Sequence, residues 1–339
     1  YYAVIARGLP HQQGYFLDEA KAAGVDETWL LIKRLTVIEG LYVGLFVIPI
    51  ILAAIPALRT LTRLTTARAF LLVVAWEAMA VGGMIWLWDE GRRMPYVPHF
   101  LGRAGPGSAD LRYARPPIAS AEFFDYATVA CAVASIMFAV SIARTFGKRA
   151  DPGRAGAGMV MGIAAWQIAG VVPQSLLFRN WIISLDRYLL PLLPFALCLL
   201  LWSLRDVRLS MAIGWVAVAA VALFSIAGTR DVLVFQTTVW ELARWLNAEG
   251  VPNTKLDAGY PWDAYYLWEY SEANDIPTQT PDGSWWTDVY ARATDSTYVI
   301  AGSAIPGYDV IAWRPYSAWL QEEPMRLYVL RRHGVPGPP

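Results

Sequence analysis

Arginines and aromatic residues at the ends of long apolar runs are where this sequence could do chemistry. In Asp186-Arg187-Tyr188-Leu189-Leu190-Pro191-Leu192-Leu193-Pro194 a charged, aromatic entry turns at once into an apolar helix carrying two prolines. An arginine and a tyrosine at such a mouth can hold an anionic group at a membrane surface, while the prolines free backbone carbonyls and bend the helix. Arg179 lies only a short turn before Arg187. Two guanidiniums that close repel unless an anion lies between them, which a phosphate or pyrophosphate would supply, although Asp186 could do part of that work.

A second set runs from Asp89 to His99 and joins Arg92, Arg93, Tyr96 and His99 to the end of another apolar run. Guanidinium makes forked, charge-assisted bonds to phosphate oxygens, so Arg92 or Arg93 could grip a lipid phosphate. The rival reading is a snorkelling headgroup contact beside an Asp–Arg pair. Asp18 and Glu19, adjacent acids, could act as a general base or bind a divalent cation, or could simply form the solvated face of a short helix. Glu77, mid-span, needs protonation, a partner such as Gln167, or a cavity. The run Gly156 to Gly162 has the look of a phosphate loop but follows no strand, so close helix packing through Gly158 and Gly162 is the better reading.

Near the C-terminus, Tyr260, Trp262, Tyr265, Tyr266, Trp268, Tyr270, Trp285, Trp286 and Tyr290 are interleaved with Asp257, Asp263 and Glu269. Aromatic faces flanked by carboxylates suit sugar rings; the same residues would also dock this segment onto a membrane domain.

The elements that position these residues follow from composition. Of 339 residues 56% are hydrophobic and 17% charged, and the mean hydropathy is +0.36, values of a polytopic membrane protein. The net charge is zero, which gives nucleic-acid binding nothing to rest on. Cys131 and Cys198 lie in apolar runs without metal-ligand spacing and read as small buried hydrophobes. The chain opens on Tyr1 with no signal peptide beside it, which predicts a start within a longer protein or after processing.

Six runs near the roughly 20 residues a spanning helix needs fall at 35–57, 68–88, 123–145, 157–178, 184–204 and 209–228. The connections holding Arg59, Arg63 and Arg68, then Arg144, Lys148, Arg149 and Arg154, then Arg205 and Arg208 are the basic ones, and the positive-inside rule makes them cytoplasmic. Residues 1–34, the loop 89–122 and everything after 229 then face the outside. Asp26 reads as the N-cap of a helix within 1–34. Beyond Gly228 the composition turns polar and aromatic. A helix from Thr238 to Gly250 and strands at Thr297–Ala301, Asp309–Trp313 and Arg326–Arg331 predict a small α/β domain over 229–339. The expected fold is thus an α-helical polytopic membrane protein: an extracytoplasmic segment 1–34, a transmembrane domain 35–228 of about six helices, and an extracytoplasmic α/β domain 229–339.

The stretch Asp186-Arg187-Tyr188-Leu189-Leu190-Pro191, the loop Arg93-Met94-Pro95-Tyr96 and the helix Ala243-Arg244-Trp245-Leu246-Asn247 after the last span resemble the later part of a GT-C type membrane glycosyltransferase. The group in question contains the protein mannosyltransferases and the aminoarabinose transferases. The resemblance covers most of residues 35–270. It implies transfer of a sugar from a polyprenyl-phosphate carrier to a lipid or protein acceptor on the outer side of the cell membrane, here a bacterial inner membrane. Arg187, Tyr188, Arg179, Arg92, Arg93, Tyr96 and His99 would then hold the carrier among membrane lipids. An acid in an upstream outer loop serves as base or metal ligand in that group. Here it is either absent from the chain or is Asp18 or Glu19, with a divalent cation as the one cofactor implied and no residue assigned as a fixed metal ligand. The other reading left open is a non-catalytic membrane component, or a transporter of lipid-linked sugars.

Overall fold

The computed structural model describes residues 25–57, 66–96, 101–107, 111–112, 115–146, 190, 192–279, 284–322 and 325–336, with Gly158 and Gly162 as isolated positions. Its described residues group into two compact units. One holds those of 25–96 and 119–224, the other those of 101–118 and 225–336.

The first unit is helical. Helix α1 spans Val25–Ala54, α2 Ala67–Asp89, α3 Ala121–Phe146 and α4 Leu192–Ser203. Small residues let these helices approach: a Cβ on Gly44 of α1 would stand 2.0 Å from the Cys131 carbonyl oxygen of α3, and one on Gly83 of α2 would stand 2.4 Å from Val37. Close approach through small residues is how apolar helices associate where lipid removes the hydrophobic drive. A chain of hydrogen bonds crosses all three long helices, from Trp76 Nε1 to Ser135 Oγ at 2.9 Å and from that hydroxyl to the Gly40 carbonyl at 2.8 Å. Ser210, seven residues past the end of α4, donates its N–H to the Ala53 carbonyl at 2.8 Å and ties the chain that follows α4 to the end of α1. Leu200 and Leu204 accordingly pack with Val47, Ile51 and Ala54.

Helix α5, Met211–Ala248, leaves the first unit and enters the second. Its first half is apolar and exposed on all sides, with Trp215, Val216, Leu223 and Ile226 among the most exposed residues. Gly228, Asp231, Phe235, Val239, Leu242 and Leu246 then form one buried stripe at helical spacing, the pattern of a helix covered on one side. At 1.5 Å per residue α5 is about 57 Å long, against about 30 Å of bilayer core.

The second unit is built on a four-stranded sheet in the order β3-β4-β6-β5, formed by β3 Leu256–Asp257, β4 Tyr298–Ala301, β5 Tyr308–Tyr316 and β6 Met325–Arg332. β3 and β4 are parallel, joined through α6 Tyr260–Ala273 and α7 Trp285–Val289; β6 is antiparallel to β4 and to β5. Trp262 of α6 and Leu242 and Leu246 of α5 meet Leu256, Ile300, Leu327 and Val329 of the sheet in one core. A two-stranded hairpin, β1 Leu101–Gly102 and β2 Gly105–Pro106, belongs to this unit. Gly228 lies so close to Pro106 that a Cβ there would come within 2.3 Å, and Arg115 donates to the Pro106 carbonyl at 2.9 Å with its guanidinium over the Phe235 ring.

Among the described residues four helices are long and apolar enough to cross a membrane: Thr36–Ala57, Ala67–Asp89, Ala121–Arg144 and Met211–Ala248. The expected run 184–204 has as its described helix only the 12 residues of α4, and 157–178 lies outside the described residues apart from Gly158 and Gly162. A Cβ on either glycine would meet no described atom within 4 Å. The span expected to end at Gly228 runs on as helix to Ala248. No proline interrupts 211–248, and the glycine serves close approach to Pro106 instead. Asp26 is no N-cap, because α1 already begins at Val25. Cys198 and Glu77, expected to face the interior, are exposed.

Candidate functional site

The end of α2 decides how Arg92 and Arg93 are presented. Gly91, at φ +73°, follows the cap residue Glu90. Its N–H reaches the Trp88 carbonyl at 2.9 Å, while the Arg92 N–H reaches the Leu87 carbonyl at 2.8 Å. These paired bonds are a Schellman motif, whose left-handed residue favours glycine. The chain reverses there and throws the two arginines to different fates.

Arg93 is fully engaged. It donates to the Asp125 carboxylate of α3, to the Trp88 and Arg92 carbonyls at 3.0 Å each, and its guanidinium lies 3.8 Å from the centre of the Trp88 ring. Arg34 of α1 makes a two-pronged pair with Glu90, at 2.8 and 3.0 Å. Arg92 touches the same carboxylate only through Nε at 3.3 Å, its side chain 45% exposed. Among the described residues its two terminal nitrogens have no hydrogen-bond partner. Tyr96 is buried among Val37, Leu87, Met94 and Cys131. Its hydroxyl finds no hydrogen-bond partner, and burial pushes its pKa upward. Of the sequence candidates the structure therefore brings Arg92 and Arg93 to one helix end, with Arg92 available and Arg93 and Tyr96 committed to packing. Asp18, Glu19, His99, Arg179, Arg187 and Tyr188 lie outside the described residues.

The aromatic set of the second unit divides in two. Tyr265 is 73% exposed, and Tyr266, Trp268 and Tyr270 join it on the surface of α6. Trp262 and Trp286 are buried, as are both aspartates that could have met a sugar. Asp257 ends β3, and Gly259 at φ +84° turns the chain into α6. Asp263 Oδ1 accepts the Ala258 N–H at 3.0 Å, and Trp286 Nε1 donates to Asp263 Oδ2 at 3.0 Å and to Asp257 Oδ1 at 3.3 Å. Arg112 Nε stands 2.7 Å from Asp257 Oδ2, an ion pair whose N–H is not aimed at the oxygen, since neither atom makes a hydrogen bond. Burial, and then the Asp257 charge, push the pKa of Asp263 well up. This cluster is closed to solvent. Its role is to tie the 111–112 segment to the sheet, where Arg112 also bridges to Ala301.

Sequence reading missed Glu39. It lies in the first spanning segment, is 8% exposed, and its Oε1 is buried without a hydrogen-bond partner. An acid inside an apolar run was the available signal, as it was for Glu77. Among the described residues no group of three or more His, Cys, Asp or Glu side chains could hold a metal ion. No protein-family model, curated protein or solved structure matches the chain.

Proposed function

We propose that this chain is a membrane glycosyltransferase of the GT-C type, or the later part of one, which moves a sugar from a polyprenyl-phosphate carrier to an acceptor on the extracytoplasmic side of a bacterial inner membrane. The observation that carries the reading is Arg92. A half-exposed guanidinium whose terminal nitrogens have no partner among the described residues, fixed by a Schellman turn at the end of a 23-residue apolar helix, is suited to a phosphate at the lipid headgroup level. Displacing a polyprenyl phosphate from an anomeric carbon needs positive charge where the phosphate leaves. Arg92 supplies it, together with Arg187 and Arg179. Arg93, stacked on Trp88 and paired with Asp125, holds the turn that aims Arg92. The exposed tyrosines and tryptophan of α6 suit the sugar or its acceptor.

The test is carrier binding and transfer by the full chain in lipid nanodiscs, using a panel of undecaprenyl-phosphate hexoses. Losing a hydrogen bond to a charged group costs about 1.5–3 kcal/mol, so Arg92→Ala should weaken carrier binding roughly ten- to a hundredfold. Arg93→Ala should instead lower the melting temperature. Carrier affinity unchanged in Arg92→Ala removes the phosphate grip, and tight binding without transfer by the wild type would identify a non-catalytic component or a transporter.

A further inference from the structure

Glu39 sits 14 residues before Ala53 on α1, on the helix face it shares with Val43 and Ile50, and those two side chains pack against the cluster that contains Leu197, Leu200 and Leu204. Arg34, the cation before it on the helix, is about 140° away around the axis at 100° per residue and is held by Glu90. Among the described residues its buried Oε1 has no hydrogen-bond partner.

A lone carboxyl in an apolar helix bundle is costly, and packing by itself gives no reason to keep one. We propose that Glu39 is the base that takes the proton from the acceptor hydroxyl. The inference rests on the transferase reading above and adds the group that reading lacks. In the step, the acceptor oxygen bonds to the anomeric carbon and the bond from that carbon to the phosphate oxygen breaks. Its electron pair leaves with the polyprenyl phosphate, and the hydroxyl proton passes to the Glu39 carboxylate, which returns it to water after release. An oxygen with no protein partner is what such a group requires, because its hydrogen bond is made to the substrate.

Two measurements on the full chain in nanodiscs test this. General-base catalysis contributes about 10²–10⁴ in rate, so Glu39→Gln should lower transfer from undecaprenyl-phosphate hexoses at least a hundredfold while carrier affinity stays within threefold of wild type, and Glu39→Asp should recover part of the rate. Glu39→Gln transferring within threefold of wild type overturns the assignment. Dicyclohexylcarbodiimide, an apolar reagent for carboxyls shielded from water, supplies a readout that does not depend on a variant folding. The Glu39 peptide should be modified in the free protein and protected when the donor and an acceptor are bound. A Glu39 that is unreactive, or equally reactive with and without substrates, also refutes it. Wild-type protein that transfers no sugar from any donor sinks the transferase reading itself, and the inference with it. That outcome is told apart from the others because it appears before any substitution is made.

Discussion

Asp231 offers the sharpest test of how the second unit is held. It is 1% exposed on α5, and both its oxygens accept the Trp319 N–H, at 2.8 and 2.9 Å, while Oδ2 also accepts the Leu320 N–H at 2.8 Å. Beside it Arg230 donates to the Asp231 carboxylate at 3.0 Å and to the Ser317 carbonyl at 2.9 Å, and lies over the Trp319 ring. Together they clamp the turn between β5 and β6. In Asp231→Ala two backbone N–H groups lose a charged acceptor in a buried place, each worth about 1.5–3 kcal/mol. The sum is bounded by the roughly 3–5 kcal/mol that breaking a buried charged pair costs. Asp231→Asn keeps one oxygen and turns an amide N–H toward the other donor, for about half that loss. Arg230→Ala, on the half-exposed side, should cost about 1 kcal/mol or less. Since about 1.4 kcal/mol is a factor of ten, hydrogen exchange at Trp319 and Leu320 should quicken roughly a hundredfold or more in Asp231→Ala, read by mass spectrometry on the peptide covering 317–322. Exchange within threefold of wild type would show that the β5–β6 turn holds its own shape and that Asp231 does not anchor it.

Two further outcomes follow from the packing. Asp263 has its pKa raised by burial and by Asp257, so the folded protein binds that proton more tightly than the unfolded chain, whose carboxylate titrates near 3.9. The stabilisation is complete below the unfolded value and is lost as pH rises through the folded one. Melting of the second unit should therefore ease from pH 4 upward, and Asp263→Asn should flatten that slope while costing about 1–3 kcal/mol at every pH, because the Trp286 N–H loses its acceptor. A wild-type and mutant difference that does not vary with pH would refute the raised pKa of Asp263. Gly44→Ala places a methyl group against the backbone of Cys131 and Ser135, which can yield only if α1 and α3 part. Overpacking of that kind costs about 1–3 kcal/mol, and the buried Cys131 should become reactive to maleimide, with unchanged labelling counting against a tight α1–α3 seam.

What the sequence disclosed and what it hid separate along a physical line. Alternation in Tyr298–Ala301, Tyr308–Tyr316 and Met325–Arg332 and the long apolar runs of α1, α2 and α3 are local signals, and they located these elements within a few residues, save that α1 begins at Val25, ten residues before its apolar run. β3 has two residues and no period to detect. The span ending at Gly228 is bounded by a change of composition, yet the helix runs on, and the use of that glycine depends on Pro106, more than a hundred residues earlier in the chain. The same holds for the acids: Asp257 and Asp263 among aromatics resemble a sugar site in one dimension, and only the sheet and α6 together turn them inward. Arg92 and Arg93 are indistinguishable as neighbours in sequence. The Schellman turn after α2 gives one to Asp125 and leaves the other open.

The buried acids of the described residues make the argument about Glu39 stronger than its burial alone could. Four are buried: Glu39, Asp231, Asp257 and Asp263. Asp231 is met by two backbone N–H groups and an arginine. Asp257 is met by Arg112, Trp286 and the Gly259 N–H. Asp263 is met by Trp286 and the Ala258 N–H. Each of these three closes a turn or fastens one segment to another, and each has the partners that such a role demands. Glu39 fastens nothing. If it were an architectural acid it would be expected to show at least one donor, as the others do, and the Ser135–Gly40 bond shows that polar partners can be placed in this bundle, one residue away. The partner that Glu39 lacks is therefore assigned to the substrate, and a carbodiimide adduct blocked by that substrate is the observation on which the assignment stands or falls.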